Sequence, residues 1–404
     1  MGAERETTAD RDAGSGGESG SEPAGPMQPG ETTVDQAVRL AGLLGALEDA
    51  TDVFVLTHDN PDPDAIASAA ALSFLLREAS AVSTTMAFGG IVGRAENRAL
   101  IAEAGVSFQR MGSIEIPAGA VVALVDTQPR TGNNSLPEGR IAGIVIDHHP
   151  VRPETSATTF SDVRPEYGAS CSILVEYLRA AGLEPDRALA TALFYGIQSE
   201  TMDLGREVSA ADVEASLYLY PRSDPASISR IRHARVPASY LQSVHEALER
   251  ARGYGGVMCV PMGRLDYPDL GAELADMFMR VDGVEWAIAS GRYHDDLLLS
   301  VRTYQLEAHA GDLVRQVVRD RGSAGGHGML AGAQLPLKGL SDTEVDELVA
   351  SLFEEFRAAL GVGGDEARSI VEPHGGSGAG PPSGAGSAGA GPGSGASGSA
   401  EPPE

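Results

Sequence analysis

A histidine and two aspartates, His58, Asp62 and Asp64, lie close together between two apolar segments of the chain. Residues 53–56 predict a short buried strand. Residues 65–76 are small and apolar and predict a helix that packs back on this strand. Ligands of open α/β sheets bind at the carboxyl ends of the strands, and these side chains fall at such an end.

Imidazole and carboxylate groups in this pattern can bind metal ions. Asp62 and Asp64 are two positions apart in an extended loop, so their side chains would point in different directions and could serve two neighbouring ions. Prolines 61 and 63 are expected to stiffen the loop and keep it from becoming helix. The competing interpretation is an Asx turn in which Asp64 caps the next helix. A histidine together with two spaced aspartates favours the metal site.

Two further apolar segments also end in side chains that can bind metals. Residues 121–125 lead to Asp126, and a second segment leads to Asp147, His148 and His149. Such runs without alternation predict strands of a parallel sheet that is covered on both faces. One aspartate at a strand end is most often a turn residue. Three strand ends carrying aspartate and histidine favour a shared metal centre.

The composition is strongly acidic, with a formal net charge of -27 over 404 residues and Lys338 as the only lysine. This excess of carboxylates favours a protein from a salt-rich, halophilic cytoplasm, where the Debye length falls to about 3 Å at 1 M salt. An acidic protein of an ordinary cytoplasm is the alternative. Either way, the charge argues against binding to long duplex nucleic acid.

Cys171 and Cys259 form neither a disulfide framework nor a zinc-binding spacing, and both are expected to be reduced core residues. No apolar stretch reaches the length of about 20 residues that crosses a membrane, and the polar N-terminus does not resemble a signal peptide. We therefore expect a cytoplasmic protein without a membrane partner. The sequence leaves open whether the protein forms a homodimer.

The predicted fold class is α/β, with a parallel-sheet catalytic domain followed by a smaller α/β substrate domain. The predicted organisation is, in order, a disordered tail over 1–32, a catalytic domain over 33–225, a connecting helix or linker over 226–252, a substrate-binding domain over 253–362 and a disordered Gly/Ser/Pro-rich tail over 363–404.

Two local predictions concern glycines. Gly196 is expected to break a helix that begins near residue 186, which would bring Glu200 to a loop. Residues 325–328, Gly-Gly-His-Gly, are expected to form a turn.

Together, these blocks resemble the DHH-family phosphoesterases, the superfamily of RecJ exonuclease, nanoRNase/pAp phosphatase and cyclic-di-AMP phosphodiesterases. The resemblance runs from about residue 52 to about residue 360. It rests on four catalytic blocks in family order, on the Ser-Val-Arg-Thr stretch 300–303 and on the Gly-Gly-His turn. It implies a DHH catalytic domain followed by the DHH-associated domain.

The resemblance also implies two divalent metal ions, most suitably Mn²⁺, with Mg²⁺ or Co²⁺ as alternatives. The implied ligands are His58 and Asp62 for one ion, Asp64, His148 and Glu200 for the other, and Asp126 as the bridge between them. Two such ions, about 4 Å apart, share a hydroxide as the nucleophile and neutralise charge in the transition state.

Other implied roles concern orientation and substrate binding. Asp147 and His149 would orient the catalytic site. In the second domain, His327 and the backbone amides of Gly325 and Gly326 would bind a substrate phosphate, and Arg302 would pair with another.

The sequence departs from the family pattern at two positions. Glu200 replaces the usual aspartate of the fourth block, and its longer side chain would shift the second ion; Asp203, three positions on, is the alternative ligand. Ala324 replaces the first glycine of the turn, which reduces the freedom of the backbone there.

The function expected from this pattern is metal-dependent hydrolysis of short nucleotides: oligoribonucleotides, pAp, or linear and cyclic dinucleotides. One alternative is a non-catalytic nucleotide-binding regulator in which Glu200 has disabled the second metal site. The others are a RecJ-like single-strand exonuclease and a family inorganic pyrophosphatase; the Gly-Gly-His turn argues against the pyrophosphatase.

Overall fold

The computed structural model describes residues 33–371. The predicted tail over 1–32 and residues 372–404 of the predicted C-terminal tail lie outside the described residues. The first part of the chain contains α1 (Thr33–Gly45), β1 (Asp52–Leu56), α2 (Pro63–Ala79), β2 (Ser83–Phe88), α3 (Ala95–Ala104), β3 (Phe108–Arg110), β4 (Val121–Val125), β5 (Ile144–Asp147), β6 (Phe160–Val163), α4 (Ser170–Ala180), α5 (Arg187–Glu200), α6 (Ala210–Leu219) and α7 (Pro225–Arg232).

The first domain is built on a six-stranded parallel sheet with the order β3-β2-β1-β4-β5-β6. The strand order reverses between β1 and β4, and such a switch point opens a crevice at the carboxyl ends of the strands. Because β1, β4 and β5 are neighbours, the residues that follow them meet at one edge. The prediction of a parallel α/β sheet is confirmed.

Both faces of the sheet are covered, as the unalternated apolar strands predict. In β1, Val53 and Val55 pack into the core beneath α2 and α4, whereas Phe54 and Leu56 face the opposite side. That second side is covered by the segments that connect β3 to β4 and β4 to β5, rather than by helices. Burial on both faces is what favours branched and aromatic side chains at every position.

The loop after β1 becomes helical earlier than the sequence predicts. Pro63 is the first residue of α2, and Asp62 is its N-cap, with Oδ1 accepting a hydrogen bond from the Ala65 amide at 3.0 Å. The expectation that Pro63 prevents helix is therefore wrong, because proline is well suited to the first helical position, where its missing N–H costs nothing. The alternative that Asp64 is the cap is also wrong.

Gly196 lies inside α5 and does not break it. A Cβ atom at this position would lie 2.6 Å from Cys171 Sγ and 3.1 Å from the Pro63 carbonyl oxygen. The glycine thus permits α5 to pack closely against the start of α2, and α5 continues to Glu200. The predicted break was wrong because a glycine inside a helix can serve close packing as well as termination.

The second part of the chain follows a connecting helix, α8 (Ala238–Arg250), which packs on the second sheet. Its elements are β7 (Arg252–Tyr254), β8 (Val257–Arg264), α9 (Leu270–Phe278), β9 (Trp286–Tyr293), β10 (Asp296–Thr303), α10 (Ala310–Val318), β11 (Ser323–His327), β12 (Leu330–Pro336), α11 (Asp342–Ala359) and β13 (Arg368–Ser369).

The second sheet has seven strands in the order β11-β12-β10-β9-β8-β7-β13, and β8 and β9 form its parallel pair. One face packs against α10 and α11, and the other against α8 and α9. In β10, Leu297, Leu299 and Val301 face the first of these layers, so Ser300 and Arg302 face α9. This alternation places Arg302 on the side that carries α9.

Two predictions for this domain are corrected. The Gly-Gly-His stretch is not a turn, because residues 323–327 form β11 and pair with β12; a Cβ at Gly326 would collide with the Leu330 carbonyl of that strand. The C-terminal tail was expected to be coil from residue 363, but Arg368 and Ser369 pair with β7 as an edge strand.

Within residues 33–371, no helix is both long and apolar enough to cross a membrane.

Candidate metal centre

Asp126 lies at the centre of the site. It follows β4 directly, and its amide donates a hydrogen bond to the Ile146 carbonyl of β5 at 2.9 Å. Its φ of 58° is in the left-handed region, which few residues other than glycine adopt, although aspartate tolerates it better than most. The side chain is buried at the switch point of the sheet. Such backbone strain concentrates at functional sites.

The first group of potential ligands joins Asp126 to the loop after β1. His58 Nε2 lies 3.5 Å from Asp62 Oδ2 and 3.5 Å from Asp126 Oδ2. The other ring nitrogen, Nδ1, contacts the Asp59 carbonyl at 2.9 Å, which leaves Nε2 directed at the two carboxylates. The ligand atoms of these three residues lie within 4.8 Å of one another.

The second group joins Asp126 to the residues after β5. His148 Nε2 lies 3.5 Å from Asp126 Oδ1 and 3.9 Å from Asp64 Oδ2, and its Nδ1 is fixed by the Tyr167 carbonyl at 3.1 Å. Nε2 is buried and has no hydrogen-bond partner among residues 33–371. A buried nitrogen directed at carboxylates, with its partner nitrogen fixed by a carbonyl, is typical of a metal ligand.

Asp126 presents a different oxygen to each group: Oδ2 faces His58, and Oδ1 faces His148. The same carboxylate can therefore contact two cations at once. This geometry would permit the bridging role that the sequence resemblance implies, and it depends on three neighbouring strands ending at one edge of the sheet.

Asp64 has a second function in addition to its position beside His148. Its Oδ2 accepts a hydrogen bond from the Ser170 amide at 2.7 Å, and its Oδ1 accepts one from the Cys171 amide at 2.8 Å. Both amides belong to the first turn of α4, where unpaired N–H groups favour an anion. Asp64 thus joins α2 to α4, and its carboxylate oxygens keep lone pairs for a cation.

Ser170 and Gln128 also contact the candidate site residues, and the sequence did not reveal these contacts. The Ser170 hydroxyl donates to Asp126 Oδ1 at 2.9 Å, and the buried Gln128 Nε2 donates to Asp147 Oδ2 at 2.6 Å. The small residues that precede α4 were a sequence signal that could have indicated Ser170. Gln128 follows Asp126 by two positions, but its contact with Asp147 depends on the pairing of β4 with β5.

Asp147 and His149 are joined at the edge of the cluster, and His149 also lies with Asp126 and His148 in a group that could hold a metal ion. Asp147 Oδ1 accepts hydrogen bonds from His149 Nδ1 at 2.8 Å and from the His148 amide at 2.9 Å. Burial lowers the pKa of His149, but the hydrogen bond and charge of Asp147 outweigh it and raise that pKa to about 10. Asp147 therefore fixes the imidazole of His149 at the edge of the cluster.

Glu200, rather than Asp203, lies beside the two groups. Burial raises the pKa of the Glu200 carboxyl, and the negative charge of Asp62 raises it further. Arg206 contacts both the Glu200 carbonyl, at 2.6 Å, and the carboxylate, at 3.9 Å. Asp203 is exposed and pairs with Arg232 at 2.7 Å. Glu200 is thus within electrostatic reach of the cluster, and its role as the fourth-block acid stays a prediction.

The electrostatics of the cluster suit a cationic ligand. Burial raises the pKa of Asp64 and Asp126, and each is raised further by a neighbouring carboxylate. Burial lowers the pKa of His58, but the charges of Asp62 and Asp126 and the hydrogen bonds of the ring together outweigh it and raise the value to about 10, while His58 in turn lowers the pKa of Asp62. Without a metal ion, protons bound to these side chains balance the negative charge of the carboxylates. A bound divalent cation would supply that positive charge instead. The donor set fits two such ions.

Residues 52–197 match the family model of the DHH family, N-terminal domain. The matched span contains all six strands of the first sheet and every implied ligand except Glu200. Residues 52–197 form a DHH-family domain.

Two similar proteins match different lengths of the chain. An uncharacterised protein of Methanocaldococcus jannaschii is 35% identical over 302 residues, which cover 74% of this chain and 61% of that protein. A probable manganese-dependent inorganic pyrophosphatase of Streptococcus pyogenes serotype M5 is 28% identical over 152 residues, 37% of this chain and 48% of that protein. The chain thus spans less than two thirds of the length of either relative.

The DHH domain and the domain that follows it also have a solved structural counterpart. A crystal structure of an exopolyphosphatase-related protein from Bacteroides fragilis superimposes with a TM-score of 0.63. The match covers 80% of this chain and 97% of that chain, at 13% sequence identity. At this identity, the likeness shows that the two-domain fold is shared.

The second domain faces the DHH domain across a cleft beside His148. A cavity of about 380 Å³ lies between them, and His148, Tyr167 and Gly328 are among its lining residues. Gly328 follows β11 directly and packs against Glu207. The side chain of His327 is outside the described part of the structure, so its implied contact with a phosphate stays a prediction.

The Arg302 side chain is already paired with a carboxylate in this structure. Its Nε donates to Asp276 Oδ1 of α9 at 2.7 Å, and its side chain is mostly buried. The implied phosphate-binding role would therefore require the guanidinium to exchange this carboxylate for a phosphate or to bind both.

Proposed function

We propose that the protein is a phosphoesterase that hydrolyses short nucleotides with the help of two divalent cations, most suitably Mn²⁺. The observation that carries this proposal is the position of Asp126, whose two oxygens face two separate histidine–carboxylate groups. A single structural metal or a set of surface ion pairs would not need a shared buried carboxylate with a strained backbone.

The two groups divide the proposed ligands between the ions. His58 and Asp62 would hold one ion, and His148 with Asp64 and Glu200 would hold the other. Two divalent cations held there would polarise the phosphoryl oxygens and generate a nucleophile from water at neutral pH. Mixed imidazole and carboxylate ligands suit Mn²⁺, and Mg²⁺ or Co²⁺ are alternatives.

The other residues of the chain would bind and orient the substrate. His149, fixed through Nδ1 by Asp147, directs its other ring nitrogen away from that carboxylate, where it could hold a proton near the leaving oxygen. Arg302 and the backbone amides of β11 would bind phosphate groups from the opposite wall of the cleft.

Short substrates are favoured over long nucleic acid by the charge of the chain. A protein with a net charge of -27 repels a polyanion as a whole, whereas a nucleotide of a few residues interacts mainly with local cations. The proposed substrates are therefore oligoribonucleotides of a few residues, pAp, and linear or cyclic dinucleotides.

The test is a hydrolysis panel with the full chain and Mn²⁺ over pAp, a diadenylate, a short RNA, a short DNA, cyclic-di-AMP and inorganic pyrophosphate. We expect turnover of at least one short nucleotide, and we expect Asp126→Asn to abolish it without changing the circular dichroism spectrum. An Asp126→Asn variant that retains more than about a tenth of the activity would contradict the shared-carboxylate mechanism.

Two other outcomes would replace the proposal. Turnover of pyrophosphate alone would assign the activity suggested by the similarity to the streptococcal protein. Tight binding of a dinucleotide with no turnover by a Mn²⁺-loaded protein would favour the non-catalytic regulator.

A further inference from the structure

Four charged side chains, three of them buried, form a network beside β6: Arg39, Asp162, Arg164 and Glu176. The Arg164 guanidinium donates to Asp162 through Nε at 2.9 Å and through Nη2 at 2.7 Å. Its Nη1 donates to Glu176 of α4 at 2.5 Å. Asp162 also accepts a hydrogen bond from Arg39 of α1 at 2.7 Å. The network thus joins α1, β6 and α4.

Tyr167 connects this network to the candidate metal centre. Its hydroxyl accepts a hydrogen bond from Arg164 Nη1 at 3.0 Å and donates one to Glu176 Oε1 at 2.9 Å. The backbone carbonyl of the same residue contacts His148 Nδ1 at 3.1 Å. Tyr167 is therefore held at its hydroxyl, and its carbonyl fixes the ring whose Nε2 faces Asp126.

The backbone joins the same residues a second time. The Arg164 amide donates to the Asp147 carbonyl at 2.9 Å, and the Tyr167 amide donates to the Arg164 carbonyl at 3.0 Å. Residues 164–167 thus form a turn that starts beside the residue preceding His148. The Arg164 side chain closes this turn, because its guanidinium reaches the Tyr167 hydroxyl and lies 5.0 Å from the centre of the ring.

We infer that Arg164 and Tyr167 are positioning residues for His148: the buried ion pairs hold the turn, and the turn directs Nε2 of His148 at the proposed second ion. This inference rests on the proposed function and deepens it, because it names the part of the chain that sets the geometry of one proposed ligand. A carbonyl that accepts a hydrogen bond from one ring nitrogen of a metal-binding histidine fixes the direction of the other.

The competing role for the network is to hold β6 against α4 and nothing more. Two tyrosines whose hydroxyls join the same network separate the two roles. The Tyr177 hydroxyl donates to Asp162 Oδ2 at 2.7 Å, but the Tyr177 carbonyl accepts from the Ala181 amide inside α4. Tyr167 directs its carbonyl at His148 instead. Loss of either hydroxyl disturbs the network, whereas only the loss at Tyr167 should disturb the histidine.

The test measures Mn²⁺ binding to the full chain by calorimetry, without substrate. Tyr167→Phe keeps the ring and the backbone but removes both hydrogen bonds of the hydroxyl. We expect the dissociation constant of one Mn²⁺ ion to rise about tenfold, as it does when the groups that orient a ligand are lost. Tyr177→Phe is the matched control, and it should bind Mn²⁺ as the wild type does. Both variants should lower the Tm of the chelator-treated protein.

Arg164→Lys provides a second variant. It keeps the positive charge, so Asp162 and Glu176 are not left as unpaired buried carboxylates, but it loses the planar fork that also reaches the Tyr167 hydroxyl. It should weaken Mn²⁺ binding as Tyr167→Phe does. If one of these two variants does not fold, the other decides. The inference is overturned if Mn²⁺ binds to either folded variant as tightly as to the wild type, or if Tyr177→Phe weakens binding equally.

Kinetics give a readout that a purely structural role would not move. The kcat of Tyr167→Phe should fall at limiting Mn²⁺ and return towards that of the wild type at saturating Mn²⁺, with the KM for the nucleotide unchanged. A kcat deficit that is the same at every Mn²⁺ concentration would contradict the positioning role.

The proposed function can fail separately from this inference. A wild-type protein that binds Mn²⁺ but hydrolyses no short nucleotide contradicts the proposed function, and the calorimetric comparison of Tyr167→Phe with Tyr177→Phe still decides the positioning role. A wild-type protein that binds none of Mn²⁺, Mg²⁺ and Co²⁺ overturns both.

Discussion

At the scale of single residues, the site is defined by which atom of each side chain faces the cluster. His58 and His148 each have Nδ1 fixed by a backbone carbonyl, so Nε2 of both rings faces Asp126. When Nδ1 is fixed by a hydrogen bond, the direction of Nε2 is fixed as well, which is how metal-binding histidines are generally oriented. The chemistry proposed here therefore depends on ring orientation as well as on residue type.

The fourth-block acid is tested by three substitutions. Glu200→Gln should reduce turnover at least about tenfold, because a neutral amide is a poor ligand for a divalent cation, whereas Glu200→Asp should remain active. Asp203→Asn should behave as the wild type, since Asp203 is exposed and paired with Arg232. Steady-state kinetics with Mn²⁺ check this prediction. Loss of activity in Asp203→Asn, with Glu200→Gln unaffected, would assign the ligand to Asp203.

The stability of the metal-free protein should depend on pH through His58 and His149. Both have pKa values raised to about 10 from 6.5 in the unfolded chain, so each stabilises the fold fully below pH 6.5 and loses that contribution as the pH rises towards 10. We expect the Tm of chelator-treated protein to fall across this window, with a smaller fall when Mn²⁺ is bound. Calorimetry at several pH values measures this difference; equal slopes with and without Mn²⁺ would contradict it.

At the scale of elements, the metal centre depends on close packing between helices that the sequence alone does not position. Asp64 of α2 binds the first turn of α4, and Gly196 lets α5 approach both of them. Glu200 lies four residues after Gly196, one helical turn along α5. The contact at the glycine therefore sets the position of the acid.

Gly196→Ala should destabilise the fold and lower activity together. Its Cβ would press on Cys171 Sγ and the Pro63 carbonyl, and overpacking of this kind costs about 1–3 kcal/mol. Displacement of α5 would also move Glu200 away from the cluster. Gly45→Ala is the matched control, because Gly45 ends α1 with nothing within 4 Å of a Cβ atom. Denaturant unfolding and kcat measure the two effects; a Gly196→Ala protein as stable as the control would exclude the packing role.

At the scale of the whole molecule, two sheets of different construction face each other across the cleft. The parallel sheet supplies the proposed metal ligands from adjacent strand ends, and the mixed sheet supplies Arg302 and the backbone of β11. The chain closes the second sheet at its far edge with β13, which pairs with β7. The stability of the second domain should therefore depend on residues after α11.

Truncation tests the contribution of β13. A chain that ends at residue 363 should have a Tm a few degrees below that of a chain that ends at residue 371, because the shorter chain loses the β13 pairing and the packing of Ile370. The activity of both should be similar, since β13 lies at the opposite edge of the sheet from β11. Equal Tm values would show that the edge strand contributes nothing to stability.

Much of the fold and of the candidate site could be predicted from the sequence. The apolar runs around Val55, Ala123 and Val145 gave three parallel strands, and the polar residues that follow them gave the potential ligands. The strand prediction was confirmed because burial on both faces is a local property. The ligand roles stay predictions. The preference for Glu200 over Asp203 as the fourth-block acid came from the family resemblance and stays a prediction.

Only the tertiary structure decided how these parts meet. The two oxygens of Asp126 are divided between His58 and His148 because β4 lies between β1 and β5, and strand order is not a local property of any segment. The residues around Gly196 look the same in sequence whether the glycine ends a helix or allows another helix to pack closely. Only the position of Cys171 in the structure distinguishes these two roles. The contact between Arg302 and Asp276 likewise exists because α9 packs on β10. The spacing of the two residues in the sequence does not predict this packing.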